Sequence, residues 1–133
     1  MSRISDVLGE VVCTRRLVAK PPAEGRAVLV RIGKPRRQRR SWICPFHISG
    51  IGLDEPALAY GEDAVQALIM ALQGIRATLL KTDSQFTWLG GEEGDAGFPM
   101  LINGGMDLSF TRQLEALVEA KKENYWKKAA SRP

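Results

Sequence analysis

A basic run at residues 34–40 is the densest group of chemically capable side chains in this 133-residue chain. It holds five cations in seven residues: Lys34, Arg36, Arg37, Arg39 and Arg40. Such a cluster can neutralise phosphates and release their counterions, which gives salt-dependent and largely sequence-independent binding of nucleic acid. Trp42 follows directly and can in principle stack on a base. The same run can also bind an acidic protein partner, or form a solvated hairpin tip that aids solubility.

Cys44 and the only histidine, His47, form a second candidate site. A thiol and an imidazole can act as a nucleophile and its base. In an extended strand, however, residues three apart point to opposite faces, so the two side chains diverge unless Pro45 introduces a bulge. With Cys13 they are the only soft metal ligands, whereas a zinc site takes three or four. We expect packed thiols in a reducing compartment, with no catalytic residue, metal ligand or cofactor.

An acidic, glycine-rich segment at residues 90–97 is a third candidate site. Glu92, Glu93 and Asp95 can gather around Ca²⁺ or Mg²⁺ through oxygen ligands. Their spacing lacks the regular alternation and the distal glutamate of an EF-hand loop, and no phosphate-binding motif follows the glycines. We therefore favour a solvated turn.

The last predicted helix ends in aromatic and basic residues, Tyr125 and Trp126 followed by Lys127 and Lys128. Such an end can rest on a membrane surface or on RNA. Cations near a helix C-terminus also stabilise the helix by themselves, which is the interpretation that we favour. Trp126 stays a candidate anchor for a protein contact.

The strands that must position these side chains follow from the pattern of apolar residues. An antiparallel meander is predicted from strands at residues 11–18, 26–32, 41–48 and 56–60. Residues 33–40 are predicted to form a loop. Pro45 lacks a backbone donor for the ladder and indicates an edge strand or a bulge.

The helical pattern is clearest over residues 63–81, which are apolar nearly all round and are therefore expected to be covered on most sides. Short extended segments at 86–89 and 98–102 are predicted to form a hairpin, and an amphipathic helix starts near Asp107 or Ser109. Together these elements predict an α+β fold: an antiparallel meander of three to four strands packed by a long buried helix, then the hairpin and a C-terminal amphipathic helix.

Length and composition indicate a single domain over residues 1–133, compact over 8–126 and frayed at 127–133. The chain is 44% hydrophobic and 26% charged, which is typical of globular proteins. Its net charge of +4 is unevenly distributed: +8 in residues 1–40, −8 in residues 41–120 and +4 in residues 121–133. Such segregation bears on partners and solubility rather than on the fold.

Three short motifs carry a family resemblance. They are Trp42-x-Cys44-Pro45 in the third strand, Gly61-x-Asp63-x-x-Gln66-Ala67-Leu68 at the start of the long helix, and Gly97-Phe98-Pro99. Together they resemble a family of small bacterial single-domain proteins of unknown function, over roughly residues 10–102. The resemblance implies a bacterial origin and one compact domain, and it implies no activity, substrate or catalytic residue. The basic run at 34–40 lies outside these motifs.

These features favour a non-enzymatic protein-binding module of the bacterial cytoplasm, of adaptor, inhibitor or immunity type. Opposite charges in separate segments speed encounter and select partners. One alternative is a nucleic-acid-binding accessory protein that uses the basic run at 34–40, and another is an enzyme whose site is assembled from distant residues. No membrane interaction is expected, and a homodimer could form through an edge strand or the amphipathic helix.

Overall fold

The structure is a computed structural model that describes residues 3–20, 26–53, 55–102 and 105–131. The chain divides into two compact units, Met1–Pro99 and Met100–Pro133. The sequence-based expectation of one domain over residues 1–133 stays a prediction.

The first unit carries an antiparallel sheet and two helices. Its described elements are α1 (Arg3–Leu8), β1 (Val11–Lys20), β2 (Arg26–Gly33), β3 (Arg36–Gln38), β4 (Ser41–Ser49), β5 (Ala57–Gly61), α2 (Ala64–Leu80) and β6 (Gln85–Trp88). The second unit carries α3 (Leu108–Ala130). The strands join in one sheet in which every described pairing is antiparallel, which confirms the α+β class.

β2 and β3 form one long, bulged arm of a hairpin with β4. β5 pairs with one edge of β4 from Trp42 to Phe46. This range overlaps the part of β4 that pairs with β3 and reaches the part that pairs with β2, so β2 and β3 must both pair with the other edge of β4. Ile32 pairs with Phe46 and Arg36 pairs with Ile43, so three residues of one arm oppose two residues of the other. This extra residue is a β-bulge, and Pro45 faces it. The bulge lies in the arm opposite Pro45 rather than in β4, whose pairing with β5 continues regularly through Pro45, and the predicted edge position of Pro45 is wrong because β4 is paired on both sides.

The main core lies between one face of the sheet and α2. Its buried members are Leu17, Ala19, Val28, Val30, Ile32, Cys44, Phe46, Ile48, Ala59, Ala67, Ala71, Ile75, Leu79 and Phe86. The residues that α2 contributes to this core are spaced by four along the helix, and two of them are alanines. These small side chains let the helix approach β4 and β5 closely.

The exposure of α2 corrects the expectation that this helix is covered on most sides. Val65 is 66% exposed and Leu80 65% exposed, on the side that faces away from the sheet. The cause is geometric, because a single sheet face covers only one side of a helix. The start of α2 is well capped: the Asp63 side chain accepts a hydrogen bond from Gln66 N at 2.8 Å, and Gln66 Oε1 accepts one from Glu62 N at 2.6 Å.

The opposite face of the sheet is also covered over β4, by α1, an element that the sequence pattern did not predict. Leu8 at the end of α1 is buried, as are Ile43 and Pro45 beneath it. A Cβ on Gly33 would collide with the carbonyl oxygen of Leu8 and lie 2.7 Å from Pro45 Cγ. The close approach of α1 to the sheet therefore requires glycine at position 33.

Two other expectations are corrected. Residues 33–40 are not a simple loop, because they contain β3 and close a hairpin. The predicted hairpin of 86–89 with 98–102 is wrong, since β6 pairs with β1 and the described residues 98–102 form no strand. The carbonyl of Pro99 instead accepts a hydrogen bond from Gln73 Nε2 of α2 at 3.0 Å.

The second unit is dominated by α3. The Asp107 side chain caps it by accepting a hydrogen bond from Phe110 N at 2.9 Å. The helix continues to Ala130, past the start of the tail at 127–133 that was expected to fray, and the last two residues lie outside the described part. Within the described ranges, no helix combines the length and the apolar character needed to cross a bilayer.

Candidate functional site

The basic run lies on the hairpin that β3 and β4 close at Arg39 and Arg40. We call Lys34, Arg36, Arg37, Arg39 and Arg40 the basic hairpin. Gln38 pairs with Ser41, so only two residues form the turn. Ladder pairs hold the next two arginines: Arg37 lies beside Trp42 and Arg36 beside Ile43. The ladder therefore places the backbone of Arg36 and Arg37 next to the turn that carries Arg39 and Arg40.

The four arginines of the basic hairpin have no carboxylate within 4 Å among the described residues. Lys34 alone has an acidic neighbour, with Nζ lying 3.9 Å from Glu10 Oε2, and both side chains are exposed. Arg37, Arg39 and Arg40 are exposed, while Arg36 is half-buried and reaches toward Gly9. The hairpin therefore presents positive charge that the described residues do not neutralise.

Arg39 is the one described non-glycine residue with a positive φ, at 57°. This left-handed conformation suits glycine or asparagine at a hairpin turn and costs other residues about 1 kcal/mol. The surrounding ladder imposes the strain, and an arginine nevertheless occupies the position. Backbone strain of this kind is more common at functional sites than elsewhere.

Two aromatic residues lie near the basic hairpin and differ in accessibility. Trp42 is half-buried and packs against the main core, which removes most of its face from a stacking ligand. Tyr60 is 57% exposed and pairs with Ile43, which in turn pairs with Arg36, so the three form one row across the sheet. The sequence singled out Trp42, whereas the accessible ring is that of Tyr60.

Cys44 and His47 point to opposite faces of β4, as the strand geometry predicts. Cys44 lies in the main core and its thiol donates to the carbonyl oxygen of Gly33 at 3.5 Å. His47 is buried on the other face, where Arg31 Nη2 lies 3.2 Å from Nδ1 and Leu53 O lies 3.1 Å from Nε2. A guanidinium only donates, so Nδ1 accepts and the proton on Nε2 is donated to Leu53. The imidazole is thus engaged on both sides and cannot serve the thiol as a base.

The environment of Cys44 also disfavours a thiolate. Burial raises the pKa of this thiol to about 11, and Cys13 adds to the rise. Cys13 is exposed, which corrects the expectation of packed thiols for this residue, whereas Cys44 is buried as expected; both cysteines are free, on β1 and β4 with β2 between them. Within the described part of the chain, no three His, Cys, Asp or Glu side chains lie close enough to hold a metal ion.

The acidic segment at 90–97 is a turn whose polar groups are used internally. The Asp95 side chain accepts a hydrogen bond from Gly97 N at 2.8 Å, and the Asp95 backbone carbonyl accepts one from Trp88 N at 3.0 Å. Glu93 lies 4.0 Å from Lys20 Nζ, so the carboxylates of this turn serve different neighbours. The structure therefore does not gather them around a common centre.

The turn wraps a side chain that the sequence analysis missed, Arg15 of β1. Its guanidinium carbon lies 4.5 Å from the centre of the Trp88 ring and 5.1 Å from that of Phe98. Its Nη1 donates to the carbonyl oxygen of Gly97 at 2.7 Å. A Cβ on Gly97 would lie 2.6 Å from that nitrogen, at a φ of 75°. The cation is stacked between two rings and packed by glycine, which is a structural role.

A groove of about 650 Å³ lies on the outer face of the sheet beside β1 and β6. Arg16, Val18 and Lys20 line it from β1, and the exposed Leu89 lines it after β6. The backbone beyond β6 is partly occupied, because Trp88 O accepts from Gly91 N at 3.1 Å. The groove is therefore a shallow surface feature beside a short and partly capped edge.

Trp126 lies on α3 and is 62% exposed, with its ring 5.1 Å from that of Tyr125 in an edge-on arrangement. The two rings and the neighbouring lysines line a surface depression of about 820 Å³ within the second unit. Trp126 therefore belongs to the second unit, whereas the basic hairpin belongs to the first.

The signals for the missed features were present but weak. Arg15 lies on the same face of β1 as the buried residues Leu17 and Ala19. A charged side chain on that face needs hydrogen-bonding or aromatic partners within the protein. Arg31 lies on the outward-facing set of β2, opposite His47. Pairing partners could not be assigned without the register, so neither contact was visible in the sequence.

The comparisons with known proteins agree with the sequence motifs. The family model described as Domain of unknown function (DUF6968) matches residues 13–100, about two thirds of the chain. No curated protein and no solved structure matches the chain. The matched segment runs from β1 to the residues after β6, so it includes the basic hairpin and excludes α3. The chain therefore belongs to the DUF6968 family, a domain of unknown function, which confirms the predicted resemblance to a family of unknown function.

Proposed function

We propose that this chain is a non-enzymatic protein-binding module, of adaptor, inhibitor or immunity type, that docks an acidic partner surface on its basic hairpin. The observation that carries the proposal is the set of four arginines on the β3–β4 hairpin, two in the ladder and two in the turn, with no carboxylate within 4 Å among the described residues. Unneutralised charges on neighbouring residues repel one another, even though Arg36 and Arg37 project from opposite faces of β3, and an acidic partner relieves that repulsion.

The residue types favour recognition of carboxylates. Arginine offers a planar fork that can bind a carboxylate through two parallel hydrogen bonds, which gives geometric specificity as well as attraction. The left-handed backbone of Arg39 supports the same function, because an arginine occupies a position where glycine would relieve the strain. Lys34 contributes less, since Glu10 already lies 3.9 Å from its amine.

The non-enzymatic part of the proposal is supported by the divergence of Cys44 and His47. The thiol lies in the main core and the imidazole is engaged by Arg31 and Leu53 on the other face. Nucleophilic catalysis needs the base within hydrogen-bond reach of the nucleophile. Trp126 stays a candidate anchor for a partner on α3, separate from the basic hairpin.

Nucleic-acid binding is the second candidate function, and Tyr60 favours it. This exposed ring lies in the same cross-strand row as Arg36, so a base could stack on it while the arginines contact phosphates. We place it second because Trp42, the aromatic residue next to the basic run, packs against the core.

The test is the binding of fluorescent polyglutamate to the full chain at several salt concentrations, followed by anisotropy. We expect binding that weakens as salt rises and that falls roughly tenfold when Arg37, Arg39 and Arg40 are changed to glutamine together. The same titrations with single-stranded and duplex DNA of matched charge compare the two candidate functions.

A matched control removes three exposed cations elsewhere, by changing Arg16, Lys81 and Arg112 to glutamine. This variant has the same net charge as the hairpin variant, and it should keep most of the affinity. Equal losses in the two variants would show that only net charge matters, which contradicts a hairpin site. Tighter binding of DNA than of polyglutamate would replace the proposal with the nucleic-acid function.

A further inference from the structure

The apolar stripe of α3 is exposed in the second unit. We define this stripe as Phe110, Leu114, Leu117, Val118 and Tyr125. At 3.6 residues per turn these side chains project within an arc of about 100°. Leu117 is 68% exposed and Phe110 is 46% exposed, while Leu114 and Val118 are half-buried. A stripe of this kind along a 23-residue helix is a surface suited to another helix.

The charges of α3 are divided between its two halves. Residues 107–119 carry Asp107, Arg112, Glu115 and Glu119, a net charge of −2, whereas residues 120–131 carry four lysines and Glu123, a net charge of +3. A parallel pair of such helices would place the two basic halves side by side. An antiparallel pair places each basic half against an acidic half, so the helix is complementary to itself only in that orientation.

We infer that α3 pairs antiparallel with α3 of a second copy of this chain and so forms a twofold-symmetric homodimer. With Leu117 opposite Val118 of the second copy, Phe110 falls opposite Tyr125 and Leu114 falls opposite Lys121, whose aliphatic stem can cover it. The same alignment brings Glu115 and Lys122, which flank one side of the apolar stripe, near each other across the interface. Lys122 Nζ lies 3.8 Å from Glu119 Oε1 of its own helix, and in the dimer Glu115 of the second copy would share this exposed cation. Twofold symmetry repeats each of these contacts.

This inference is independent of the proposed function. The interface uses α3, which lies outside the residues matched by the family model, whereas the partner-binding surface uses the basic hairpin within them. Failure of one therefore leaves the other standing.

The test begins with the mass of the full chain over a series of concentrations, measured by sedimentation velocity. We expect the mass to rise to twice the chain mass of 14.7 kDa. Leu117→Glu places a charge in the apolar stripe and should weaken the dimer by roughly tenfold or more, with an unchanged circular dichroism spectrum because Leu117 is exposed. A single-chain mass at every concentration, or a dimer unaffected by Leu117→Glu, would overturn the inference.

Charge reversal tests the antiparallel alignment. Glu115→Lys or Lys122→Glu alone places two pairs of like charges across the interface and should weaken self-association by roughly tenfold. When the two variants are mixed, every pair is again of opposite charge, so a heterodimer should form in preference to either homodimer. Glu123→Lys and Lys127→Glu make the same changes on the opposite side of α3 and should leave the mass unchanged. Mixing that restores nothing would overturn the antiparallel alignment.

Discussion

The basic hairpin and the acidic turn at residues 90–97 are both charge-rich connections of the same sheet, and they differ in how their polar groups are used. In the acidic turn, the Asp95 side chain accepts a hydrogen bond from Gly97 N and the Asp95 backbone carbonyl accepts one from Trp88 N, while Glu93 lies near Lys20. In the basic hairpin, the four arginines have no carboxylate within 4 Å among the described residues, and only Lys34 lies near one, that of Glu10. The difference teaches that a charge cluster indicates binding when its groups lack internal partners, and indicates structure when they have them.

The largest loss of stability is expected from Trp88→Ala, in the region of the acidic turn. The Trp88 ring covers Arg15 and is packed by the glycines of the acidic turn, so its loss leaves a cavity and an unstacked cation. We expect a loss of about 3 kcal/mol in the free energy of unfolding, measured by urea denaturation. A loss below about 1 kcal/mol would show that the acidic turn is not a structural element.

Gly97→Ala sharpens the account of the acidic turn. The added Cβ would lie 2.6 Å from Arg15 Nη1 at a φ of 75°, so we expect a loss of about 2 kcal/mol. Gly94→Ala is the matched control, because Gly94 has a φ of 88° and its added Cβ would only reach the Gln85 side chain at 3.6 Å. Equal losses in the two variants would attribute the effect to backbone strain alone, without a role for the packing around Arg15.

Arg39→Gly tests whether the arginine at this turn position lowers the stability of the fold while it increases the affinity for an acidic partner. Glycine adopts the left-handed conformation of Arg39 without strain, so we expect the free energy of unfolding to rise by about 0.5 kcal/mol while polyglutamate binding weakens. Thermal melts and anisotropy on the same preparations measure the two quantities. A variant that loses stability would show that the Arg39 side chain has a structural role.

The smallest expected effect on stability belongs to the variant with Arg37, Arg39 and Arg40 changed to glutamine. These side chains are exposed and make no ion pair among the described residues, so the free energy of unfolding should change by less than about 0.5 kcal/mol. A larger loss, measured by the same urea denaturation, would place the hairpin with the acidic turn as a structural element.

Much of the first unit could be predicted from local sequence. The patterns of apolar residues predict β1, β2 and β4, and the helical pattern over residues 63–81 predicts α2. The divergence of Cys44 and His47 also followed from the two-residue period of a strand. These features depend on neighbours along the chain, so a single sequence contains them.

The rest depends on long-range pairing. β6 joins β1 rather than the segment after it, because the residues around Phe98 pack on Arg15 and on α2. Residues 34–40 consist of basic residues, one proline and one glutamine, so the apolar pattern predicts a loop there although β3 pairs with β4. The arginines of the candidate site could be named from sequence, but their lack of acidic neighbours could be seen only in three dimensions.

The most direct test of the basic hairpin as the binding surface is a titration of ¹⁵N-labelled chain with polyglutamate, followed by backbone amide chemical shifts. We expect the largest changes at the amides of residues 36–42, with the amides of residues 90–97 unaffected. Largest changes in the acidic turn or along α3, or no changes at any amide, would contradict the assignment of partner binding to the hairpin.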